Sequence, residues 1–160
     1  MGFLIRYKGV FDMEGLYRFV RDWLIKRRFD VDEVRYKAKW DETELKWKAE
    51  LDVDEYYTYF ITIDWHFWDV KDVHVQGKTL QQGRFEINLS FNVSAGNPEI
   101  FPEKGNNFHE KLAASLGKLM HKLRENEKDV QHIDTLHYLT LRLHTEIKKF
   151  LNMHTNVSSY

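Results

Sequence analysis

Residues 56–68 constrain the fold more than any other segment of the chain. Their apolar side chains recur at every second residue, which is the repeat of a β-strand. One face carries a continuous apolar set: Tyr57, Tyr59, Ile61, Ile63, Trp65 and Phe67. The opposite face carries Tyr56, Phe60 and Trp68 among polar residues. Because aromatic rings lie on both faces, we predict an inner strand whose two sides are both covered.

The remaining periodicities predict an α+β fold. The predicted elements are, in order, a strand at 3–11, a helix at 12–28, strands at 33–40, 45–52, 56–68 and 84–93, and helices at 108–126 and 129–152. Short turns join the strands, so we expect an antiparallel β-meander of four to five strands (order β-α-β-β-β-β-α-α) with three helices packed on one face. Asp69–Asp72 interrupts the alternation and predicts a bulge or bend. Both prolines lie in 94–107, which predicts a long loop.

Composition limits the class of protein. The chain has 160 residues, of which 42% are hydrophobic, so we predict a single domain at 1–154 and a frayed tail at 155–160. Cysteine is absent, which excludes disulfides and thiolate chemistry. The formal charge of −1 argues against a dedicated nucleic-acid coat. No apolar run reaches the roughly 18 residues that span a bilayer, and the first residues do not resemble a signal peptide. We therefore expect a soluble, cytoplasmic protein without membrane contacts.

The hairpin before the long strand carries a cluster of basic residues. A turn at Glu42-Thr43 would pair the apolar residues of its two strands and would set Lys39 opposite Lys46 and Lys37 opposite Lys48. The cluster consists of Arg35, Lys37, Lys39, Lys46 and Lys48. A solvated face that keeps the sheet from aggregating explains it. The alternative is an acidic protein surface or a phosphate backbone that contacts the same face.

The aromatic residues of the second face favour association over catalysis. A second copy of the protein, the chain's own loop at 94–107, the bend at Asp69–Asp72 or a bound ligand would cover them. Our leading hypothesis is a non-enzymatic interaction protein that forms a homo-oligomer or docks on a protein partner, with Tyr56, Phe60 and Trp68 as anchors. A binding module for a small hydrophobic ligand is the first alternative. An RNA- or phosphate-binding domain that uses the basic hairpin at 35–48 is the second, and nucleic acid is not the favoured partner.

Asp64 and His66 are the weak candidates for catalysis. Their spacing puts a carboxylate and an imidazole on one face of a strand, where they could share a metal ion or act as an oriented base. A simple His–Asp hydrogen bond accounts for the same spacing. The histidines of the last two predicted helices include no pair at i and i+4, which helical chelation requires. Without a nucleotide-binding loop or a hydrolase motif, the sequence leans away from an enzyme and predicts no cofactor or metal site.

Five segments carry a likeness to known sequences: Val10–Tyr17, Glu44–Glu50, Asp54–Tyr56, Gly83–Ile87 and Ile147–Leu151. They resemble an uncharacterised family of archaeal conserved hypothetical proteins that has no assigned activity. The resemblance implies a small cytoplasmic domain of archaeal type. It contributes no site residues.

Overall fold

The computed structural model of the chain describes residues 2–95 and 130–152. Within these residues an antiparallel sheet of five strands is combined with two helices, which confirms the predicted α+β class. The predicted helix at 108–126, nearly all of the predicted loop at 94–107 and the predicted tail at 155–160 lie outside the described residues.

The last four strands form an antiparallel meander, and the N-terminal strand pairs with the last of them. The elements are β1 (Gly2–Phe11), α1 (Met13–Lys26), β2 (Asp30–Ala38), β3 (Glu42–Asp52), β4 (Tyr57–Val75), β5 (Lys78–Ala95) and α2 (130–152). The order across the sheet is β1-β5-β4-β3-β2, and every neighbouring pair is antiparallel. β1 pairs with β5, with Phe3 opposite Leu89 and Tyr7 opposite Phe85. β1 and β2 are therefore the two edges of the sheet.

Local sequence explains where α1 begins and which side it buries. The carboxylate of Asp12 accepts a hydrogen bond from the backbone N–H of Gly15 at 3.0 Å, which caps the helix. Leu16, Val20 and Leu24 follow at helical spacing and are fully buried. The helix predicted from periodicity is confirmed.

Both helices cover one face of the sheet, which we call the inner face. Its central residues on β4 are almost completely inaccessible to solvent: Ile61, Ile63, Trp65 and Phe67. The α1 residue Tyr17 packs edge-on against Trp65 at 5.1 Å between ring centroids. Leu143 and Ile147 of α2 are fully buried in the same core. Phe19 and Phe150 stack at 5.0 Å and join the two helices to each other.

β4 and β5 form one long hairpin with a bulge in its first strand. The two turn residues, Gln76 and Gly77, both have positive φ, which suits a tight hairpin turn. The ladder shifts register between Trp68 and Lys71, so that two residues of β4 face Gly83 of β5. The bulge predicted at this point is confirmed. β4 nevertheless continues beyond the predicted end of the strand, because pairing resumes after the bulge.

The predicted register of the β2–β3 hairpin is wrong. The backbones of Lys39 and Glu42 hydrogen-bond to each other, so that the turn residues are Trp40 and Asp41 rather than Glu42-Thr43. A bulge between Glu33 and Arg35 shifts the register, and its extra residue breaks the alternation on which the prediction relied.

The charges of the hairpin favour the observed register. Lys37 lies opposite Glu44, whereas the predicted register opposed Lys37 with Lys48. Like charges directly opposite each other destabilise a strand pair, and opposite charges stabilise it. The predicted pairs Lys39–Lys46 and Lys37–Lys48 do not form: Lys48 lies opposite Asp32, and one like-charge pair, Arg35 with Lys46, remains.

Candidate functional site on the outer face of the sheet

The face of the sheet that points away from the helices, which we call the outer face, holds the predicted site residues of β4. A row of register partners crosses all five strands on this face: Arg6, Glu86, His66, Glu44 and Lys37. Acidic and basic side chains alternate on either side of the central imidazole. The outer face is therefore mainly polar, with opposite charges next to each other.

The two aromatic rings of the outer face on β4 are already partly covered by side chains of the same protein. The ammonium nitrogen of Lys48 lies 4.6 Å from the ring centroid of Phe60. The guanidinium carbon of Arg84 lies 4.7 Å from the ring centroid of Trp68, and the His66 ring stacks on the same indole at 3.8 Å. Cations over aromatic faces are attracted by the ring quadrupole. Both aromatic side chains are half-buried in the single chain for this reason.

The predicted aromatic anchors do not form one continuous patch. Phe60 and Trp68 lie at opposite ends of the regular part of β4. Eight residues at about 3.3 Å each put them roughly 26 Å apart along the strand. Tyr56 precedes β4, in the turn after β3, where its backbone N–H donates to a carboxylate oxygen of Asp54 at 2.7 Å.

Two of the five members of the predicted basic cluster form ion pairs. Arg35 lies 3.7 Å from a carboxylate oxygen of Glu44. Lys46 lies 3.7 Å from Asp64 across the β3–β4 ladder. Of the remaining members, Lys48 covers a ring, as described above, Lys37 faces an acidic partner in register, and Lys39 lies beside the hairpin turn. The positive charge of the hairpin is therefore partly compensated.

His66 interacts with two glutamates that the sequence analysis did not select. Its Nε2 forms a short contact with Oε1 of Glu42 and lies 3.9 Å from Oε1 of Glu44. Asp64 has a lysine partner instead, so the structure does not bring the predicted Asp64–His66 pair together as hydrogen-bond partners. The two glutamates were not predicted as site residues because the sequence pattern placed Glu42 in the turn of the β2–β3 hairpin. Their spacing of two, which sets both carboxylates on one face of a strand, was the available signal.

An open groove lies at one end of the outer face, beside the β4 bulge. Its volume is about 670 Å³, and it is lined by Lys8, Gly9, Trp68, Asp69, Lys71, Gln82, Gly83 and Arg84. Three basic side chains from three strands border this groove: Lys8 of β1, Lys71 of β4 and Arg84 of β5. Asp69 is the acidic member of the lining. The basic groove, as we call it, therefore carries an excess of positive charge.

Two glycines and the bulge shape the basic groove. Gly9 lies opposite Gly83 in the β1–β5 ladder, and both belong to the lining of the groove. A Cβ atom on Gly83 would lie 2.9 Å from Cα and Cγ2 of Val70. Asp69 adopts a φ of 52°, and its backbone N–H donates to the carbonyl of Asp41 in the β2–β3 turn at 2.9 Å. The groove is thus built on ordered backbone from two hairpins.

The chemistry of the basic groove suits an anion with a planar group. Guanidinium and ammonium groups form charge-assisted hydrogen bonds with phosphate or carboxylate oxygens. The indole of Trp68, half-buried beneath Arg84 and His66, leaves part of its surface exposed next to these cations, and aromatic side chains stack nucleobases and similar rings. Trp68 was predicted from the sequence as a site residue, but the other residues of the groove were not. They come together only through the β1–β5 pairing and the bulge.

Comparisons with known proteins add no relative: no protein-family model matches the chain, and no curated protein matches it. The resemblance to archaeal proteins therefore stays a prediction. Within the described ranges, neither helix combines the length and the apolar character that crossing a bilayer requires.

Proposed function

We propose that the protein is a binding protein whose basic groove takes a small ligand that carries phosphate and a planar ring, of the nucleotide class. The observation that carries this proposal is the convergence of Lys8, Lys71 and Arg84 on a groove walled by Trp68. The phosphate-binding alternative predicted from the sequence is thus kept, but its site is not the basic hairpin β2–β3. It is the groove on the outer face that is lined by β1, β4 and β5.

The size and the surroundings of the basic groove favour a small ligand over a nucleic-acid strand. Its volume of about 670 Å³ falls within the range of small-molecule sites, roughly 300–1,000 Å³. A nucleic-acid backbone needs a run of uncompensated cations. The neighbouring cation Arg6 is instead paired with Glu86 at 3.0 Å. The formal charge of −1 for the whole chain points the same way.

Two features of the basic groove favour a ligand with both a phosphate and a ring. Arg84 can meet two phosphate oxygens at once through its planar guanidinium. The same side chain lies over the Trp68 indole, so that a ligand ring in contact with the part of the indole that Arg84 and His66 leave exposed would hold its phosphate close to the cation. Stacking on an aromatic side chain contributes about 1–3 kcal/mol per base.

Self-association through Tyr56, Phe60 and Trp68 remains a prediction with less support. The separation of Phe60 from Trp68 along β4 and the cations that cover both rings reduce the apolar area that a partner could bury. The alternative of a hydrophobic ligand between sheet and helices also has less support, because side chains such as Trp65 fill the inner face. A molar mass in solution above the 19.4 kDa of the single chain would support self-association.

Calorimetric titration with ADP, inorganic phosphate and adenosine tests the proposal. We expect ADP to bind more tightly than either fragment, because only ADP reaches both the cations and the indole. Arg84→Ala and Lys71→Ala should weaken ADP binding about tenfold or more, since a hydrogen bond to a charged group contributes about 1.5–3 kcal/mol.

Arg6→Ala is the matched control for these substitutions. Arg6 is a cation of the outer face on the same edge strand as Lys8, but it is outside the lining of the groove. Its removal should leave ADP affinity unchanged. Equal affinity for ADP in wild type and Arg84→Ala, or equal losses in Arg84→Ala and Arg6→Ala, would contradict the proposal.

A further inference from the structure

A ring nitrogen and two carboxylates converge between β3 and β4, next to the basic groove but outside its lining. The candidate ligand atoms of Glu42, Glu44 and His66 all lie within 4.8 Å of one another. We propose that these three side chains bind a divalent transition-metal ion of the zinc type. This inference does not depend on the nucleotide proposal.

The β3–β4 ladder explains how the three side chains meet. Glu42 and Glu44 are two positions apart on one strand, so both carboxylates lie on the outer face. His66 is the register partner of Glu44 and the diagonal neighbour of Glu42. Directly opposed Cβ atoms in an antiparallel pair are about 4.5–5.5 Å apart. Side chains of this length can therefore bring their terminal atoms to a common point.

The His66 ring is held in an orientation that suits a metal ligand. It stacks on Trp68 with an interplanar angle of 19°, which fixes the plane of the imidazole. Its Nε2 then points to Oε1 of Glu42 and Oε1 of Glu44. A neutral imidazole has one N–H and can donate it from this nitrogen to only one carboxylate at a time. A cation among the three atoms would satisfy the nitrogen and both carboxylates together.

The donor set favours zinc over the hard alkaline-earth ions. Zinc binds imidazole nitrogen and carboxylate oxygen in four-coordinate sites, and sites with three protein ligands keep a position for water. Magnesium and calcium prefer oxygen ligands only. Arg35 contacts Oε2 of Glu44, so that Oε1 of the same carboxylate remains directed towards His66. The three side chains are half-buried, with exposed fractions of 25% for Glu42, 38% for Glu44 and 30% for His66. This exposure leaves an approach for the ion and a water ligand.

Titration of the metal-free protein with ZnCl₂, with MgCl₂ and CaCl₂ in parallel, tests the site. We expect zinc to bind with a stoichiometry of one and at least tenfold more tightly than magnesium or calcium. Titration with CoCl₂ should produce visible absorption bands of a low-coordinate cobalt site. His66→Asn and Glu42→Gln should each reduce zinc affinity about tenfold or more, since even outer-shell partners contribute about 10–100-fold in metal sites.

Glu86→Gln is the matched control for the metal site. Glu86 is the register partner of His66 on the other side, in β5, and forms its ion pair with Arg6. Its substitution should leave zinc affinity unchanged. Circular dichroism of each variant shows whether it folds, and Glu44→Gln replaces any variant that does not. Zinc affinity that is the same in wild type, His66→Asn and Glu44→Gln would overturn the proposal, as would an equal loss in Glu86→Gln.

Discussion

The guanidinium of Arg84 lies over the indole of Trp68, its direct partner in the β4–β5 ladder, at 4.7 Å from the ring centroid. This contact covers an aromatic ring that the sequence predicts to need a partner, and it does so with a charged side chain of the same sheet. It also sets a cation and an aromatic wall side by side at the edge of an open groove. Recognition of a charged planar ligand follows from this geometry more directly than hydrophobic docking does.

The hairpin register predicts opposite outcomes for two tryptophans. Trp40 is 97% exposed at the β2–β3 turn, whereas Trp47 is 8% exposed on the inner face. Trp47→Ala should reduce the free energy of unfolding by about 3–5 kcal/mol, and Trp40→Ala should change it by less than about 0.5 kcal/mol. Urea denaturation measures both. Equal losses in the free energy of unfolding would contradict the observed hairpin register.

The packing of α2 on the inner face predicts a difference between two of its leucines. Leu143 is fully buried, and Leu141 is 37% exposed. Leu143→Ala should lower the free energy of unfolding by about 2–5 kcal/mol, because it removes buried atoms and leaves a cavity. Leu141→Ala is the control and should cost clearly less. Thermal denaturation followed by circular dichroism compares them, and a larger cost for Leu141→Ala would mean that α2 presents its other side to the sheet.

The close approach at the β4 bulge predicts that Gly83 tolerates no side chain without cost. An added Cβ would meet Cα of Val70 at 2.9 Å. We expect Gly83→Ala to destabilise the protein by about 1–3 kcal/mol through overpacking. Gly77, at the β4–β5 turn, has open space around it and a φ of 79°. Gly77→Asn should cost less than about 1 kcal/mol, because asparagine tolerates this conformation. Differential scanning calorimetry distinguishes the two, and a Gly83→Ala variant as stable as wild type would refute the described bulge.

The half-buried side chain of Tyr17 predicts a loss of stability at alkaline pH. Burial raises the pKa of Tyr17 above its ordinary value, and nearby Tyr36 and Glu33 raise it further. Above about pH 10 the unfolded chain loses this proton while the folded protein retains it. The free energy of unfolding therefore falls as pH rises past 10, by at most about 1.4 kcal/mol per pH unit for one proton.

Tyr17→Phe removes the titrating group, so the fall in its stability between pH 9 and pH 11.5 should be smaller than in wild type. Burial also raises the pKa of Tyr59, which keeps part of the slope in the variant. Denaturation at a series of pH values measures the difference. An identical pH dependence in wild type and Tyr17→Phe would show that Tyr17 is not protected in the folded protein.

Periodicity predicted the strands and helices because burial repeats along each element. The inner face of β4, from Tyr57 to Phe67, is buried as its alternation indicated. Periodicity did not specify the register of the β2–β3 hairpin, because the observed turn at Trp40-Asp41 pairs Tyr36 with Leu45 and the predicted turn would pair it with Ala49, so that both registers match apolar residues. Pairing of β1 with β5 joins residues about 80 positions apart, such as Phe3 and Leu89, and local pattern carries no signal for that.

The sequence named some members of the two candidate sites but not their partners. His66 and Trp68 were recognised from their spacing on one strand. Glu42 and Glu44 reach His66 through the register of β3 with β4. Lys8 and Arg84 meet only when β1 pairs with β5. Side chains that meet across strands depend on register, which single-strand periodicity does not specify.

Nuclear magnetic resonance of the ¹⁵N-labelled protein during titration with ADP tests the central claim most directly. The account predicts saturable shifts at the indole N–H of Trp68 and at the backbone amides of Gly9 and Gly83, with these shifts abolished in Arg84→Ala. It predicts no comparable shifts along the β2–β3 hairpin at 35–39. Absence of shifts at millimolar ADP, or shifts confined to the hairpin while the signals of the basic groove stay fixed, would contradict it.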